Sequence, residues 1–383
     1  VRLRLLGGWI TDTYTWHWVF LINVPMGLLS LFLVGTLVKE PSGAEAERQK
    51  FLEKALRFDY LGFVFVAIGL GALEFRQRSG GLEFVLDEGQ RNDWFGSNMF
   101  IGFTLLSAFC LLALIPWELS RKHPIVDISL LERRQFGACF LVMLGTGAVL
   151  IATTQMLPQL LRTELNYTAM LAGLALSPGG VITMIMMPVV GRLVGVIQPK
   201  YLIIAGSGIV ALTMWHLTGL TGDITCGYAA LSRAMLGCGL PFLFLPVTTA
   251  AYDGVPPDRT NQASALINVA RNLGGSMGVA LSQTMLARGQ QFHQCRLIEH
   301  VAPSDVCYQQ AIDAMTRFFQ GQGSNASDAA SQAVAWVGQT LQRQIDLLAY
   351  IDVFWLLMIV GAIMIPVALI IKPIDLVAPT KGH

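Results

Sequence analysis

Nine apolar runs punctuate the chain, at 18–38, 58–75, 98–118, 138–160, 170–194, 202–220, 228–251, 263–286 and 351–371. Each approaches or exceeds the roughly 20 mostly apolar residues that a bilayer-spanning helix needs. Several carry internal Gly and Pro, as in SPGGVITMIMMP (177–188). Spanning helices tolerate such residues because neighbouring helices satisfy the freed backbone groups. The short alternating strands of a closed β-barrel are not seen. The pattern predicts an all-α polytopic membrane protein of about nine transmembrane helices.

The polar stretch 287–350 interrupts this rhythm. Within it, DVCYQQAIDAMTRFF (305–319) and SDAASQAVAWVGQTLQRQIDLL (327–348) place apolar residues at helical spacing, among them Val334, Val337, Leu341, Ile345 and Leu348. They predict surface or interfacial helices capping the outer mouth, or a surface for an adaptor protein. His293, Cys295, His300 and Cys307 also fall here, at a spacing that fits no standard metal site. A Cys295–Cys307 disulfide is the other reading if this stretch faces an oxidising compartment.

The eighth run is the most patterned. Ser264, Asn268, Arg271, Gly275, Gly278 and Ser282 recur at steps of three and four, on one helical face. Leu266, Val269, Leu273, Met277 and Leu281 occupy the other. A small-and-polar stripe on a spanning helix packs against neighbours or lines a cavity. Arg271 sits about 12 Å along this helix from its predicted inner end. A charge at that depth must be paired, hydrated or snorkelling. It faces a cavity, or it pairs with helix-end carbonyls or Asn272.

Composition supports a lipid environment. Apolar residues make up 54% of the chain and charged residues 13%, against about 25% charged in soluble domains; the mean hydropathy is +0.56. A formal net charge of +1 leaves no basic surplus to track a nucleic acid. The six cysteines form no CxxC pair. With the loop after the first run placed inside, the inner segments hold fourteen Lys and Arg and the short outer loops four. That bias puts the C-terminus in the cytoplasm.

Other candidate groups are scattered. Gln155 and Gln159 bracket Pro158 and read either as cavity groups or as caps of that helix end. Met143, Met156, Met184, Phe242 and Phe244 suit an adaptable apolar ligand site, and equally an ordinary membrane helix. Pro178, Gly179 and Gly180 read as a hinge or as a close helix contact. No HExxH occurs, and His216 has no acidic partner within its own run, so an intramembrane enzyme is disfavoured. No repeated filter loop or charged ring points to a channel.

The segments GGWITDTYTWHWVFLINVPMG (7–27), FDYLGFVFVAIGLGALEF (58–75), YTAMLAGLALSPGG (167–180) and LPVTTAAYDGVPPDRTNQASALINVARNLGGSMGVAL (245–281) together resemble the EmrB/QacA branch of the major facilitator superfamily, fourteen-span drug:proton antiporters. The resemblance implies that the nine runs are the sixth to fourteenth spans, preceded by five more. Residues 1–57 would hold the last helix of the N-terminal bundle and a cytoplasmic linker. Residues 58–137 would form a central two-helix hairpin, and 138–383 a complete C-terminal six-helix bundle with the long outer loop 287–350.

It also implies motif remnants. Gly7 and Gly8 match the end of the antiporter signature. Gly191, Arg192 and Lys200 match a cytoplasmic loop motif in which Gly195 stands at an acidic position. The repeat of GALEF (71–75) as GGLEF (80–84) reads as an insertion over 76–84. The implied activity is proton-coupled export of small amphiphilic or cationic drugs by alternating access, in a bacterial inner membrane. The proton gradient would be the energy source and no cofactor would be needed. A periplasmic adaptor and an outer-membrane channel would be partners. The proton-coupling acids would lie in the preceding spans. Candidate cavity residues are Asn268, Arg271, Asn272, Gln155, Gln159, Phe242 and Phe244. The alternatives are a fragment without activity and an exporter of a non-drug metabolite.

Overall fold

A computed structural model describes residues 23–37, 128–165, 167–222, 225–256, 259–299 and 306–374. The expected spans 58–75 and 98–118, the proposed insertion 76–84, His300, and the motif residues Gly7 and Gly8 lie outside them. The described residues form helices joined by short connectors, with no strand among them.

α1 (Asn23–Leu37) falls within the first apolar run, and the described side chains along it are exposed. A 3-10 turn (Ile128–Glu132) then leads into α2 (Arg134–Thr163), α3 (Ala169–Val194) and α4 (Pro199–Thr218). Next come α5 (Cys226–Gly239) and α6 (Pro241–Tyr252), α7 (Thr260–Ile298), α8 (Val306–Gly321) and α9 (Ala326–Leu369). Among the described residues five units are long and apolar enough to cross a membrane: α2, α3, α4, α5 with α6, and α9. With α7 they match the last six predicted runs, and the chain is a multi-pass membrane protein.

Local chemistry sets several boundaries. The Thr168 hydroxyl accepts from the Leu171 amide (3.3 Å) at the start of α3, and Thr225 accepts from the Tyr228 amide (3.4 Å) at the start of α5. Such caps satisfy amides that a helix leaves orphaned. Pro199 opens α4, where a missing N–H costs nothing. On the predicted inner side, the Gln198 amide donates to the Ile374 carbonyl (2.8 Å) and accepts from its N–H (2.9 Å). Gln135 likewise accepts from the Lys372 amide (2.8 Å). These two glutamines tie the chain after α9 to α2 and to the turn before α4.

The closest helix contact is between α2 and α7. A Cβ built on Gly147 would collide with the Arg271 carbonyl, one on Gly274 with the Leu144 carbonyl, and one on Gly278 with that of Ala148. Only glycine lets the two backbones come this near, the usual packing device where lipid removes the hydrophobic drive between helices. α3 and α5 meet the same way through Gly179 and Gly237. Larger side chains such as Phe354, Tyr350, Met214 and Ile203 fill the buried space where α4 packs on α9 and beside it.

The outer stretch differs from a loop with separate capping helices. α7 runs on without a break to Ile298, and the predicted helix 327–348 is one with the last span in α9. At 1.5 Å per residue, α7 is about 58 Å long and α9 about 66 Å, roughly twice a 30 Å hydrocarbon layer. α8 packs along the outer half of α9 with no buried residue of its own. Asp346 (8% exposed) accepts from Gln290 (2.7 Å) and Gln342 (3.1 Å), and His293 Nε2 bonds Asp352 Oδ2 (2.8 Å). Cys295 and Cys307 are both exposed and are not joined as a disulfide; that pairing corresponds to nothing in this structure. Among the described residues no cluster of His, Cys, Asp or Glu is arranged to hold a metal ion.

Candidate functional site

The run 228–251 reads as one helix, and the structure keeps helical backbone angles through Leu240 (φ −59°, ψ −44°), but the hydrogen-bond ladder is interrupted near its middle. Pro241 follows Leu240 and has no N–H, so it cannot complete the ladder to the Gly237 carbonyl four residues back. The Leu243 amide donates to the Leu240 carbonyl (3.0 Å), a tighter step, before the Phe244 amide restarts the α ladder on the same oxygen (3.0 Å). The Gly237 carbonyl finds its partner on another helix: the Thr183 hydroxyl of α3 lies 2.9 Å away. This accounting explains how a break survives at a depth where water is scarce.

A cavity of about 420 Å³ opens beside the break, between α2, α3, α5 and α6. Leu150, Leu176, Leu236, Leu240 and Phe244 supply its apolar wall. Thr154, Ser177, Thr183 and Arg233 supply its polar groups, and Arg233 is the one ionisable side chain in the lining. Arg233 is 7% exposed, and its Nη2 donates to Thr154 Oγ1 (3.3 Å). Thr154 also donates to the Leu150 carbonyl (2.6 Å) within its own helix, which fixes the hydroxyl against the guanidinium. Apolar walls with a few convergent polar groups are the usual make-up of a small-molecule site.

Thr154 also lines a second, more polar cavity of about 680 Å³ towards the outer end of α2. Gln155, Gln159 and Arg162 line it too, with Tyr167 at its edge. Gln283 of α7 donates to Gln159 Oε1 (3.4 Å). The two cavities share one residue, so polar groups run from Arg162 at the outer end through Thr154 to Arg233 at the break.

The candidate residues divide between the cavities and the helix contacts. Phe244 and Gly180 line the inner cavity and Gln155 and Gln159 the outer one. Phe242 instead packs against Gly206 of α4. Pro178 lines a separate, almost wholly apolar groove of about 530 Å³ with Cys226 and Gly227. α3 runs through Pro178 unbroken, and Gly179 lies against the Arg233 carbonyl. On α7, Asn268 and Asn272 are exposed, and Asn268 donates to its own helix at Ser264 (3.0 Å). Arg271 is half-buried, and among the described residues none forms a hydrogen bond or ion pair with its guanidinium; its carbonyl faces Gly147. Gly191 and Arg192 close α3, and Lys200 opens α4, all three outside the cavities.

Arg233, Thr154 and Thr183 are absent from the candidates that the sequence suggested. The signal for Arg233 was present: a guanidinium six residues into an apolar run marks a functional position by default. Nothing in periodicity flags the two threonines, whose roles depend on which helix faces them. His216 stacks on Tyr228 with ring centroids 4.3 Å apart, its Nδ1 lies 3.1 Å from Ser232 Oγ, and the Tyr228 hydroxyl donates to its carbonyl. It is a structural residue joining α4 to α5.

A family model described as Major Facilitator Superfamily matches residues 3–279. Multidrug export protein EmrB of Haemophilus influenzae is 31% identical over 353 residues, covering 92% of this chain and 64% of that protein. Multidrug export protein EmrB of Escherichia coli K12 is 31% identical over 358 residues with the same coverage. Fatty acid resistance protein FarB of Neisseria gonorrhoeae is 29% identical over 369 residues, 96% of this chain and 68% of that protein. The chain spans just under two thirds of the length of the EmrB relatives that it matches.

Proposed function

This chain belongs to the major facilitator superfamily, and from that premise we propose that it carries the C-terminal bundle of a drug exporter working by alternating access. The observation that carries this reading is the cavity at the broken span. Spans interrupted by Gly and Pro are where secondary transporters place their binding sites. Residues 138–383 form the bundle, 58–137 the central hairpin, and 1–57 the last helix and linker of a preceding bundle. The C-terminus faces the cytoplasm of a bacterial inner membrane, in keeping with the Lys and Arg bias. A proton gradient supplies the energy, as the resemblance to EmrB implies. An extracytoplasmic adaptor and an outer-membrane channel complete the route, the adaptor gripping the outer halves of α7 and α9.

Amphiphiles with a neutral or acidic head fit the inner cavity better than permanent cations do. Arg233 is the ionisable group in its lining, and at low dielectric a guanidinium repels a cation strongly. Its fork of donors matches a carboxylate or carbonyl oxygen, while the leucines and Phe244 take the apolar tail.

Efflux from energised cells expressing the full gene product tests both statements. Export of an anionic amphiphilic dye should stop with a protonophore, and Arg233→Met should weaken it at least tenfold while sparing a neutral dye. No protonophore-sensitive efflux of any dye would favour an inactive fragment or a non-drug exporter. Efflux of ethidium that survives Arg233→Met would restore the cationic class.

A further inference from the structure

We propose that Thr183 is the latch of a hinge at the broken span, a positioning residue whose single hydroxyl proton is shared between two helices. Thr183 Oγ1 lies 2.8 Å from the Gly179 carbonyl of its own helix and 2.9 Å from the Gly237 carbonyl of α5. A hydroxyl has one proton to donate, so the near-equal distances define two alternatives. Donated to Gly237, the proton satisfies the carbonyl that Pro241 strands and holds α3 to α5. Donated to Gly179, it closes on its own helix and leaves Gly237 to another donor.

The surroundings make that exchange possible. Thr183 and Gly237 both line the inner cavity, so water or a donor group of bound substrate reaches the same carbonyl. Gly179 and Gly237 meet backbone to backbone with no side chain between them, which lets one helix shift over the other without a rotamer change. Gly239, at the end of α5, faces α4 instead, where an added Cβ would come within 3.1 Å of Ile209 and 3.3 Å of the Gly206 carbonyl. The break is therefore clasped between two helices, and the hydrogen bond that reaches its Gly237 carbonyl from α3 comes from a residue open to whatever enters the cavity. Cavity filling thereby becomes a change in hinge stiffness. This consequence rests on the transport reading; the latch itself does not.

Cys238, half-buried between the two glycines of the break, reports on the latch without any transport. Its alkylation rate by a small maleimide in native membranes, read by mass spectrometry of its peptide, rises as the break opens to water, because the thiolate is the reacting form. Thr183→Val should raise that rate about tenfold, and Thr183→Ser should leave it near wild type. Pro241→Ala returns an N–H to the Gly237 carbonyl, so in that background Thr183→Val should change nothing. A wild-type rate in folded Thr183→Val, or an equal increase with and without Pro241→Ala, would overturn the latch. Should Thr183→Val alone not fold, recovery of the folded protein by adding Pro241→Ala supports the proposal, and no recovery overturns it. The expected alkylation pattern in a protein that exports no dye would sustain the latch while removing the drug-export reading.

Discussion

The two halves of α7 are held in opposite ways. Its inner half lies against α2 through Gly274 and Gly278, with Gly147 answering from the other side, and the contact is one of backbone shape. Its outer half meets α9 through side chains, with Gln290 on Asp346 and His293 on Asp352. In lipid, close approach of small residues is the cheapest source of cohesion. Beyond the hydrocarbon, water competes for every polar contact, and each hydrogen bond nets only about 1 kcal/mol. One helix thus passes from a fit that admits no added atom to a seam that solvent can loosen.

Substitutions on the two halves should therefore differ in size and in kind. Gly274→Val drives a branched side chain into the Leu144 carbonyl, and overpacking of that sort costs about 3 kcal/mol. Detergent-solubilised protein should lose its monodisperse peak on size exclusion; a well-folded variant would show that α2 and α7 separate easily. Asp346→Ala removes the acceptor for two glutamine amides and should cost about 2 kcal/mol, seen as faster amide exchange in 287–298 and 338–350 with the inner half of α7 unchanged. His293→Gln keeps a donor towards Asp352 and His293→Ala does not, so the first should lose under 1 kcal/mol and the second about 1. Equal losses in the same exchange experiment would separate that pair from the stability of the seam.

The smallest effect concerns Glu164, just past the end of α2. Burial chiefly pushes its carboxyl above the ordinary 4.5, with Asp346 adding to the rise while the Thr163 hydrogen bond and Arg343 oppose it. A raised acid means that the folded state binds more protons, so its destabilising effect grows as pH rises from 4.5 through the raised value and is absent below 4.5. Glu164→Gln should raise the melting temperature slightly at pH 7.5 and leave it unchanged at pH 4. A variant that melts lower at pH 7.5 would mean that the charge is compensated.

Much of the bundle was legible because lipid imposes a simple code. The last six apolar runs fall on six helical units, five of them long and apolar enough to cross a membrane, and the stripe on α7 meets α2 at Gly275 and Gly278 while leaving Asn268 exposed. The break at Pro241 was legible in principle but passed over, because proline occurs inside α2, α3 and α9 without interrupting them. What sets Pro241 apart is glycine on both sides of Cys238 and a threonine on another helix, a relation that only tertiary structure reveals. The same holds for the cavity: Arg233 stood in plain view in an apolar run, whereas its partner Thr154 is 79 positions away. In the outer stretch both expected helices are present, and what the sequence leaves out is that the second is continuous with the last span. Amphipathic periodicity reports a helix and its wet face, but it does not say whether that helix is continuous with the apolar one beside it.

That continuity gives α7 the mechanics of an oar. It has no proline, no connector and no joint between Thr260 and Ile298, so the part outside the membrane cannot move independently of the part within. Any rocking of the bundle that tilts the inner shaft swings the outer blade in the same stroke, and α9, bound along it, swings too. Force applied to the blade returns to the shaft by the same path, and a partner seated on the outer helices would feel each turn of the cycle and load it.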